Sequence, residues 1–356
     1  MKAIFDCEVE YTSSGHLMQI YSGFFELAKK GIINLSIKRL KYSSSADPII
    51  NVVVDKKHRV IYDTIDGLNW IRGGVEENLT HFQKKYIADF YFKRSYNERM
   101  QEYAPANCKV FPLGLNYNIQ PDKNLLFLTD SVNDKIKYIF KTNKLLKKFS
   151  GKTFYHASDF EYYPIKPKEN KILFFTRLWN PDESKSESSR EHRKQINIMR
   201  VQCIEACRKK YGKMFTGGLI MDAYASKHHK ELAIPDHFTK KGNYIASVKD
   251  HTICIATTGL HDSIGWKLAE YVAASRVVVT EPLKFSLPGN FNKGENYFEF
   301  ETPEQLISQI DFLQSNPGQV LQTMKNNYYY YNNFVKPERL ILNTLLTVVN
   351  EGRNNG

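Results

Sequence analysis

The sequence predicts an α/β protein with two Rossmann-like domains, each a doubly wound, mainly parallel sheet covered by helices. The chain has 356 residues, which is enough for two domains of ordinary size. Hydrophobic residues make up 42% of it, so each half can bury a core. Apolar segments of strand length alternate with segments of helical period, and this order is typical of parallel sheets.

The first half of the chain begins with a predicted strand, a polar loop, a helix and a second strand. Residues 2–9 form the first strand, residues 11–15 the loop, and apolar side chains between 16 and 30 recur at helical spacing. The Lys-rich residues 124–149 also have a helical pattern. Further strands are predicted at residues 33–40, 48–54, 58–62, 86–93 and 109–113.

The second half repeats this alternation after a Pro-containing linker at residues 162–170. Strands are predicted at residues 171–176, 217–221, 244–246, 251–256, 276–280 and 297–300. Helices are predicted at residues 193–211, 264–274, 303–313 and 338–351. We therefore expect domains at residues 1–165 and 166–335, followed by a C-terminal helix at 336–356 that crosses back to the first domain.

The net charge indicates an anionic partner. Lys and Arg exceed Asp and Glu by 50 − 38 = 12, which favours nucleic acid, an anionic membrane surface or a phosphorylated small molecule. The sequence has no zinc-finger, helix-turn-helix or RNA-binding signature, so we do not expect nucleic acid. No apolar run approaches the ~20 residues of a membrane span, and the N-terminus does not read as a secretory signal. We expect a cytoplasmic protein, in peripheral contact with the inner face of the membrane where the Lys-rich segment meets anionic lipid.

The five cysteines are scattered and lack the spacing of a zinc site, so reduced thiols and no bound metal are expected. The Asp-x-Asp motif, which binds metal and diphosphate in another large transferase fold, is absent from the sequence. We therefore expect neither an obligatory metal nor an organic cofactor.

The strongest chemical signal lies in residues 258–280, where a small-residue loop leads into a helix and the helix leads into an apolar strand. The free backbone N–H groups of a helix N-terminus favour an anion such as phosphate. Lys267 lies near that end, and Glu270 lies about one turn further on roughly the same face. A carboxylate at this place can accept hydrogen bonds from both hydroxyls of a ribose. The arrangement therefore indicates a nucleoside diphosphate.

This segment resembles the C-terminal domain of GT-B glycosyltransferases, in the broad group that carries two glutamates eight residues apart. The matching pair here is Asp262, which follows His261, and Glu270, so the first glutamate is an aspartate. The resemblance implies that the loop with His261 and Asp262 lies near the donor sugar and that Glu270 binds the ribose. The family's Gly and Pro after the helix are missing, so Ser275 has to end a helix that Gly normally ends.

Two basic residues upstream complete the donor site that the resemblance implies. Arg177 ends the first strand of the second domain, where the family has a basic residue that contacts the donor diphosphate. The family often has a lysine about five residues later, and the nearest one here is Lys185.

The first half resembles the same group more loosely, at the glycine loop and at the end of a later strand. Gly15 and His16 lie between the first strand and helix, where the family has a loop close to the diphosphate and the acceptor. Asp63 and Asp66 end a strand, where such enzymes often carry a His or Asp near the reacting sugar. An inverting enzyme needs a base for the acceptor hydroxyl, and His16, Asp63 and Asp66 are the candidates. A retaining enzyme need not have one, and the sequence leaves both possibilities open.

The resemblance implies the GT-B fold, in which two Rossmann-like domains face a central cleft. It also implies a glycosyltransferase that moves a sugar from a nucleotide-sugar donor to a glycan, lipid-linked or other acceptor in cell-surface polysaccharide synthesis. Two alternatives remain at this stage: a GT-B-like sugar-nucleotide epimerase or phosphorylase, and a catalytically degenerate transferase that serves as a partner or binding protein. The donor sugar, the base and the acceptor are not determined by the sequence.

Overall fold

The computed structural model describes residues 3–12, 14–39, 47–121, 155–184 and 186–353, together with residues 132, 133 and 136. Lys185 lies outside the described residues, and so does nearly all of the Lys-rich segment predicted to be helical at 124–149. No prediction for either one is tested by the structure.

The chain divides into two compact units. Unit 1 comprises residues 1–159, 286–288 and 332–356, and unit 2 comprises residues 160–285 and 289–331. The first division falls a few residues before the predicted boundary at 165, and the last segment of the chain belongs to unit 1. The short helix α3 (Ala157–Phe160) lies at the division.

The strands described in unit 1 form one mixed sheet in the order β2-β1-β3-β4-β5-β6. They are β1 (Phe5–Tyr11), β2 (Ile33–Arg39), β3 (Ile49–Val54), β4 (His58–Asp63), β5 (Phe90–Lys93) and β6 (Lys109–Pro112). Only β3 runs antiparallel to its neighbours in this order, while the other pairs are parallel. The carboxyl ends of β1, β4, β5 and β6 therefore meet at one edge of the sheet.

The core of unit 1 is completed by the last helix of the chain. The helices described in this unit are α1 (Met18–Lys29), α2 (Val75–Lys85) and α10 (Pro337–Arg353). The apolar face of α1 packs in one core with Leu340, Ile341 and other side chains of α10. Gly23 makes this approach possible, because a Cβ at that position would lie 2.3 Å from the carbonyl oxygen of Pro337. The prediction that the C-terminal helix crosses back to the first domain is confirmed.

The strands described in unit 2 form an all-parallel sheet in the order β11-β10-β9-β7-β8. They are β7 (Ile172–Thr176), β8 (Phe215–Leu219), β9 (Ile253–Ala256), β10 (Val277–Thr280) and β11 (Tyr297–Glu299). The helices are α4 (Glu187–Tyr211), α5 (Ala223–His228), α6 (Lys241–Asp250), α7 (Trp266–Ala273), α8 (Pro303–Ser315) and α9 (Pro317–Tyr330). Strands β7, β9 and β10 are buried along their whole length, as in sheets covered on both faces. Both units thus have the predicted α/β architecture.

The strand predicted at residues 244–246 is wrong, because these residues lie inside α6. Tyr244, Ile245 and Val248 are the apolar residues that this helix buries, and they recur at helical spacing. The start of α6 carries no capping side chain: its N-cap is Lys240, which makes no side-chain cap hydrogen bond. Because the usual start signal is missing, the short apolar run Tyr-Ile-Ala was interpreted as a strand. The sequence pattern also predicts no helix at the positions of α2, α3, α5 and α9.

The end of α7 has the backbone conformation that the missing glycine would favour. Ser275 has φ = +57°, in the left-handed region that glycine adopts most easily. Its N–H bonds the carbonyl of Val272, and the next N–H, of Arg276, bonds that of Tyr271. The Ser275 hydroxyl donates to the carbonyl oxygen of Tyr162 at 2.7 Å, and the residue is fully buried. This hydrogen bond offsets the cost of a non-glycine residue at positive φ.

Because Ser275 combines a positive φ with a hydroxyl hydrogen bond, we expect two substitutions at this position to differ in their free energy of unfolding. Ser275→Gly removes the strain and the hydrogen bond, each worth about 1 kcal/mol, so the free energy of unfolding should change by less than about 0.5 kcal/mol. Ser275→Ala keeps the strain and loses the bond, so it should be destabilised by about 1–2 kcal/mol. Urea unfolding of the two variants measures this difference, and equal stabilities would contradict it.

Candidate functional site

Polar side chains gather at the carboxyl edge of each of the two sheets. In unit 2 this edge follows β7, β9 and β10, where Arg177, Thr257 and Glu281 come directly after the strands. In parallel sheets ligands bind outside this edge, because the helices that follow the strands point their N-termini there.

The loop between β9 and α7 is a closed turn with strained backbone at its apex. Its ends are joined by hydrogen bonds from Gly259 N to Ser263 O, 2.9 Å, and from Ser263 N to Leu260 O, 3.2 Å. At the apex, His261 and Asp262 have φ = 58° and 56°, although neither is glycine, and both side chains are exposed. Non-glycine residues with left-handed backbone are uncommon and cluster at functional sites, although Asp and His adopt this conformation more readily than most.

Asp262 does not cap the helix that follows it, because Gly265 is the N-cap of α7 and makes no side-chain bond. The Asp262 carboxylate instead lies 3.7 Å from Nε2 of His192, on α4. Asp262 is therefore not needed to start α7, and its predicted contact with the donor stays a prediction.

Arg200 of α4 holds the carboxyl ends of β7 and β9 together. Its guanidinium donates to the carbonyl of Arg177 at 2.7 Å, to the hydroxyl of Thr257 at 3.0 Å and to the carbonyl of Thr258 at 2.9 Å. Burial lowers the pKa of Arg200 to about 10, and the nearby carboxylate of Glu281 opposes this shift. Glu281 in turn accepts hydrogen bonds from the N–H and the hydroxyl of Thr258.

Lys267 lies in the first turn of α7 among positive charges. Its side chain is half-buried, and its pKa is lowered to about 7, first by loss of solvation and then by the charge of Arg200. Arg177 and Lys241 lower it further, while Glu270 raises it. Among the residues that the structure describes, no hydrogen-bond or ion-pair partner is found for the Lys267 ammonium or the exposed Arg177 guanidinium. An anion bound beside them would relieve this repulsion and raise the pKa of Lys267.

Glu270 is 3% exposed and its two carboxylate oxygens are both bonded within unit 2. One accepts from Nζ of Lys241 at 2.6 Å, and the other accepts from the hydroxyl of Tyr244 at 2.5 Å. Both partners lie on α6, so the carboxylate joins α6 to α7. Each carboxylate oxygen has two lone pairs, so these bonds leave acceptor capacity on both.

In unit 1, Asp63 ends β4 as a completely buried centre of hydrogen bonds. Its carboxylate accepts from the backbone N–H of Ile65, the indole of Trp70, the hydroxyl of Tyr91 and the ammonium of Lys93. Burial lowers the pKa of Lys93, and the charge of Asp63 acts in the opposite direction. This geometry does not suit a general base that must reach an acceptor hydroxyl, and it indicates that Asp63 holds the turn after β4 in place.

Gly15, His16 and Asp66 lie at the same edge of the unit 1 sheet and are less enclosed. Asp66 pairs with Arg94 at 2.7 Å, and 42% of its side chain is exposed. The half-buried His16 has a lowered pKa, first because of burial and then because of the positive charge of Arg94, with Asp66 opposing. Its imidazole is therefore neutral at pH 7 and able to take a proton. Gly15 is exposed, and a Cβ there would meet no atom within 4 Å.

Several site residues were not predicted, and their position in the sequence explains why. Arg200, Lys241 and Tyr244 lie within or at the start of helices, where a charged side chain is usually solvated and a tyrosine usually packs. Each reaches a partner more than 20 positions away. Only their placement beside the C-terminal edge of the sheet identifies them.

Within the described residues, no group of three or more His, Cys, Asp or Glu side chains is arranged to hold a metal ion. All five cysteines are buried and none forms a disulfide. No helix in the described part of the chain is both long and apolar enough to cross a bilayer.

Comparison with protein-family models gives no match, and comparison with curated proteins gives none. Among solved structures, the chain is similar to HepE from Anabaena in complex with UDP and glucose, with 12% identity, a TM-score of 0.44 and coverage of 94% of this chain and 98% of that one. It is similar to a glycosyltransferase from Rickettsia africae, with 16% identity, a TM-score of 0.36 and 96% coverage of both chains. A third is the C-terminal domain of the glycosyl transferase group 1 family protein LpcC from Francisella tularensis, with 14% identity, a TM-score of 0.35 and coverage of 51% and 97%.

The low pKa of Lys267 predicts a pH-dependent contribution to stability. Between about 7 and the ordinary value of 10.5, the unfolded chain binds a proton that the folded chain does not. The folded state therefore gains stability as the pH rises through this range. Lys267→Met removes this contribution, so the stability of the wild type relative to the variant should rise from pH 7 to pH 9.

Urea unfolding at both pH values measures the free energy of unfolding of the two proteins. Lys227→Met, at an exposed lysine of unit 2, is the control. Parallel curves for wild type and Lys267→Met would contradict the low pKa.

Proposed function

We propose that the protein is a glycosyltransferase that transfers a sugar from a nucleoside diphosphate to an acceptor hydroxyl. The observation that carries the proposal is Lys267, a half-buried cation with a pKa of about 7, beside Arg200 and Arg177 at the N-terminus of α7. A cation is stable in such surroundings when an anion binds there. A diphosphate supplies that anion, and its oxygens can also accept hydrogen bonds from the free backbone N–H groups at the helix N-terminus.

Breaking the bond between the sugar and a nucleoside diphosphate adds negative charge to the departing phosphate. Lys267 and Arg177 can stabilise this charge, and Arg200 keeps the surrounding loops in place, so little reorganisation is needed during the reaction. Glu270, about one turn along α7, is the residue we propose for the ribose hydroxyls. The loop with His261 and Asp262 is the segment we propose for the donor sugar.

Of the three acid–base candidates, His16 is the one we propose as the general base for the acceptor hydroxyl. It is neutral at pH 7 and half-buried, whereas Asp63 is enclosed by its hydrogen bonds. Asp66 acts on His16 through its charge and through Arg94. Participation of a base corresponds to an inverting reaction.

We propose a glycan or lipid-linked acceptor in surface-polysaccharide synthesis, no obligatory metal, and action in the cytoplasm with peripheral contact to anionic lipid. The net charge of +12 supports an anionic partner.

Binding of one nucleoside diphosphate is the first expected result. The purified protein is heated with UDP, GDP, ADP, CDP or dTDP, with and without Mg²⁺. One of them, at 100 times its Kd, should raise the melting temperature by about 5 °C or more, because a ligand that binds only the folded state stabilises it. The shift should not depend on Mg²⁺, should be lost in Glu270→Ala and should be smaller in Lys267→Met.

The matched control for this screen is Lys227→Met, which should keep the full shift. The melting temperature of each variant without nucleotide separates loss of binding from loss of folding. No shift with any of the five nucleotides would overturn the proposal and favour a catalytically degenerate binding protein.

Substitution of His16 should slow the reaction and leave donor binding intact. His16→Gln removes the base but keeps a polar side chain of similar size. The rate of donor hydrolysis, in which water takes the place of the acceptor hydroxyl, should therefore fall about 100-fold. The rate is measured as nucleoside diphosphate released from the nucleotide sugar whose nucleotide binds in the screen. His81→Gln, at a half-buried histidine of α2 with no proposed role, serves as the control. An unchanged rate in His16→Gln would exclude His16 as the base.

A further inference from the structure

Lys241 contacts the proposed nucleotide site from a helix that the sequence did not assign to it. It is the first residue of α6, and its ammonium lies 2.6 Å from Oε1 of Glu270. The same ammonium lies 4.8 Å from the ring centre of Phe160 and 4.9 Å from that of Tyr244. Its side chain is 36% exposed, whereas that of Glu270 is 3% exposed. One end of the pair is therefore open to solvent.

The beginning of α6 is unfavourable for the helix itself. Lys240 is the N-cap without a side-chain cap bond, Lys241 follows it, and no acidic residue lies in the first turn. The N-terminus of a helix carries partial positive charge, so two lysines at this end destabilise it. The carboxylate of Glu270 offsets the charge of Lys241 but lies on another helix. The lysine at position 241 is therefore better explained by its contact with Glu270 than by the stability of α6.

The pairing also changes what a diphosphate would encounter beside Glu270. A carboxylate without a cation would repel the phosphates, whereas the Lys241–Glu270 pair has no net charge. Together with the bond from Tyr244, the pair also fixes both carboxylate oxygens in one orientation. The charge of Lys241 is felt at Lys267, whose pKa it lowers, so Lys241 belongs to the same electrostatic cluster.

We propose that Lys241 is a positioning residue of the nucleotide site, which orients Glu270 and cancels its charge so that a nucleoside diphosphate can bind beside it. This inference rests on the proposed function. It gives Lys241 a role through Glu270, and it does not require direct contact between Lys241 and the nucleotide.

Isothermal titration calorimetry with UDP, GDP, ADP, CDP and dTDP tests the inference, and the tightest of the five is used for the variants. Lys241→Met should raise its Kd about tenfold or more, because a charged hydrogen bond at the site is lost. Lys241→Arg restores the charge and should stay within about threefold of the wild type. With the corresponding nucleotide sugar, KM should rise more than kcat falls in Lys241→Met.

The control is Lys249→Met, a partly buried lysine of the same helix whose ammonium lies over the ring of Tyr162. It should bind the nucleotide as the wild type does. Melting temperatures without nucleotide show that each variant is folded.

A double-mutant cycle tests whether Lys241 acts through Glu270. In a Glu270→Gln background, Lys241→Met should change Kd by less than threefold, because the charge that it cancels is gone. An unchanged tenfold effect in that background, or an equal effect of Lys249→Met, would overturn the inference and leave the proposed function standing. Failure of the wild type to bind any of the five nucleotides would overturn the proposed function and this inference with it.

Discussion

The guanidinium of Arg200 fixes the geometry on which the rest of the unit 2 site depends. Its three hydrogen bonds tie the end of β7 to the loop after β9, and Glu281 ties that loop to the end of β10. A buried arginine is costly unless its donors are satisfied, so the loops cannot move apart without leaving N–H groups unbonded. The backbone carbonyl of Arg177 is one of these acceptors. The main chain from which the Arg177 side chain extends is therefore held in place by Arg200.

Unit 1 uses a buried charge in a different way. Asp63 and Lys93 form a completely buried ion pair, and Trp70 and Tyr91 add hydrogen bonds to the carboxylate. The ammonium of Lys93 also lies 5.0 Å from the ring centre of Trp70 and donates to the carbonyl of Ile65. Loss of one member of such a pair leaves the other charged and buried, so the group behaves as one structural unit. An aspartate at the end of a strand can be either a catalytic residue or a structural one, and the sequence does not distinguish them. The complete burial of Asp63 in the structure does.

The sequence was sufficient for the fold and for the residues that lie next to one another in the chain. Strand–helix alternation predicted the two α/β halves, and the three-residue spacing of Lys267 and Glu270 predicted that both would share one face of a helix. The opposing influence of Glu270 on the pKa of Lys267 agrees with that spacing. Arg200 and Lys241 could not be predicted in this way, since their partners lie on other elements and their charge is ordinary for a helix. The strand predicted at 244–246 is wrong because α6 lacks a capping side chain, and Lys241, the first residue of that uncapped helix, contacts Glu270.

The packing of α10 against α1 has a consequence for the order in which the chain acquires its structure. The core that α1 shares with α10 holds residues from Phe5 to Val348, so it can be closed only after α10 has been synthesised. The residues of the unit 2 core lie between Ile172 and Met324, so all of them are synthesised before α10. Unit 2 is therefore able to become compact first, while α1 of unit 1 still has an uncovered apolar face. Completion of the unit 1 core therefore has to wait until the whole of unit 2 has been synthesised.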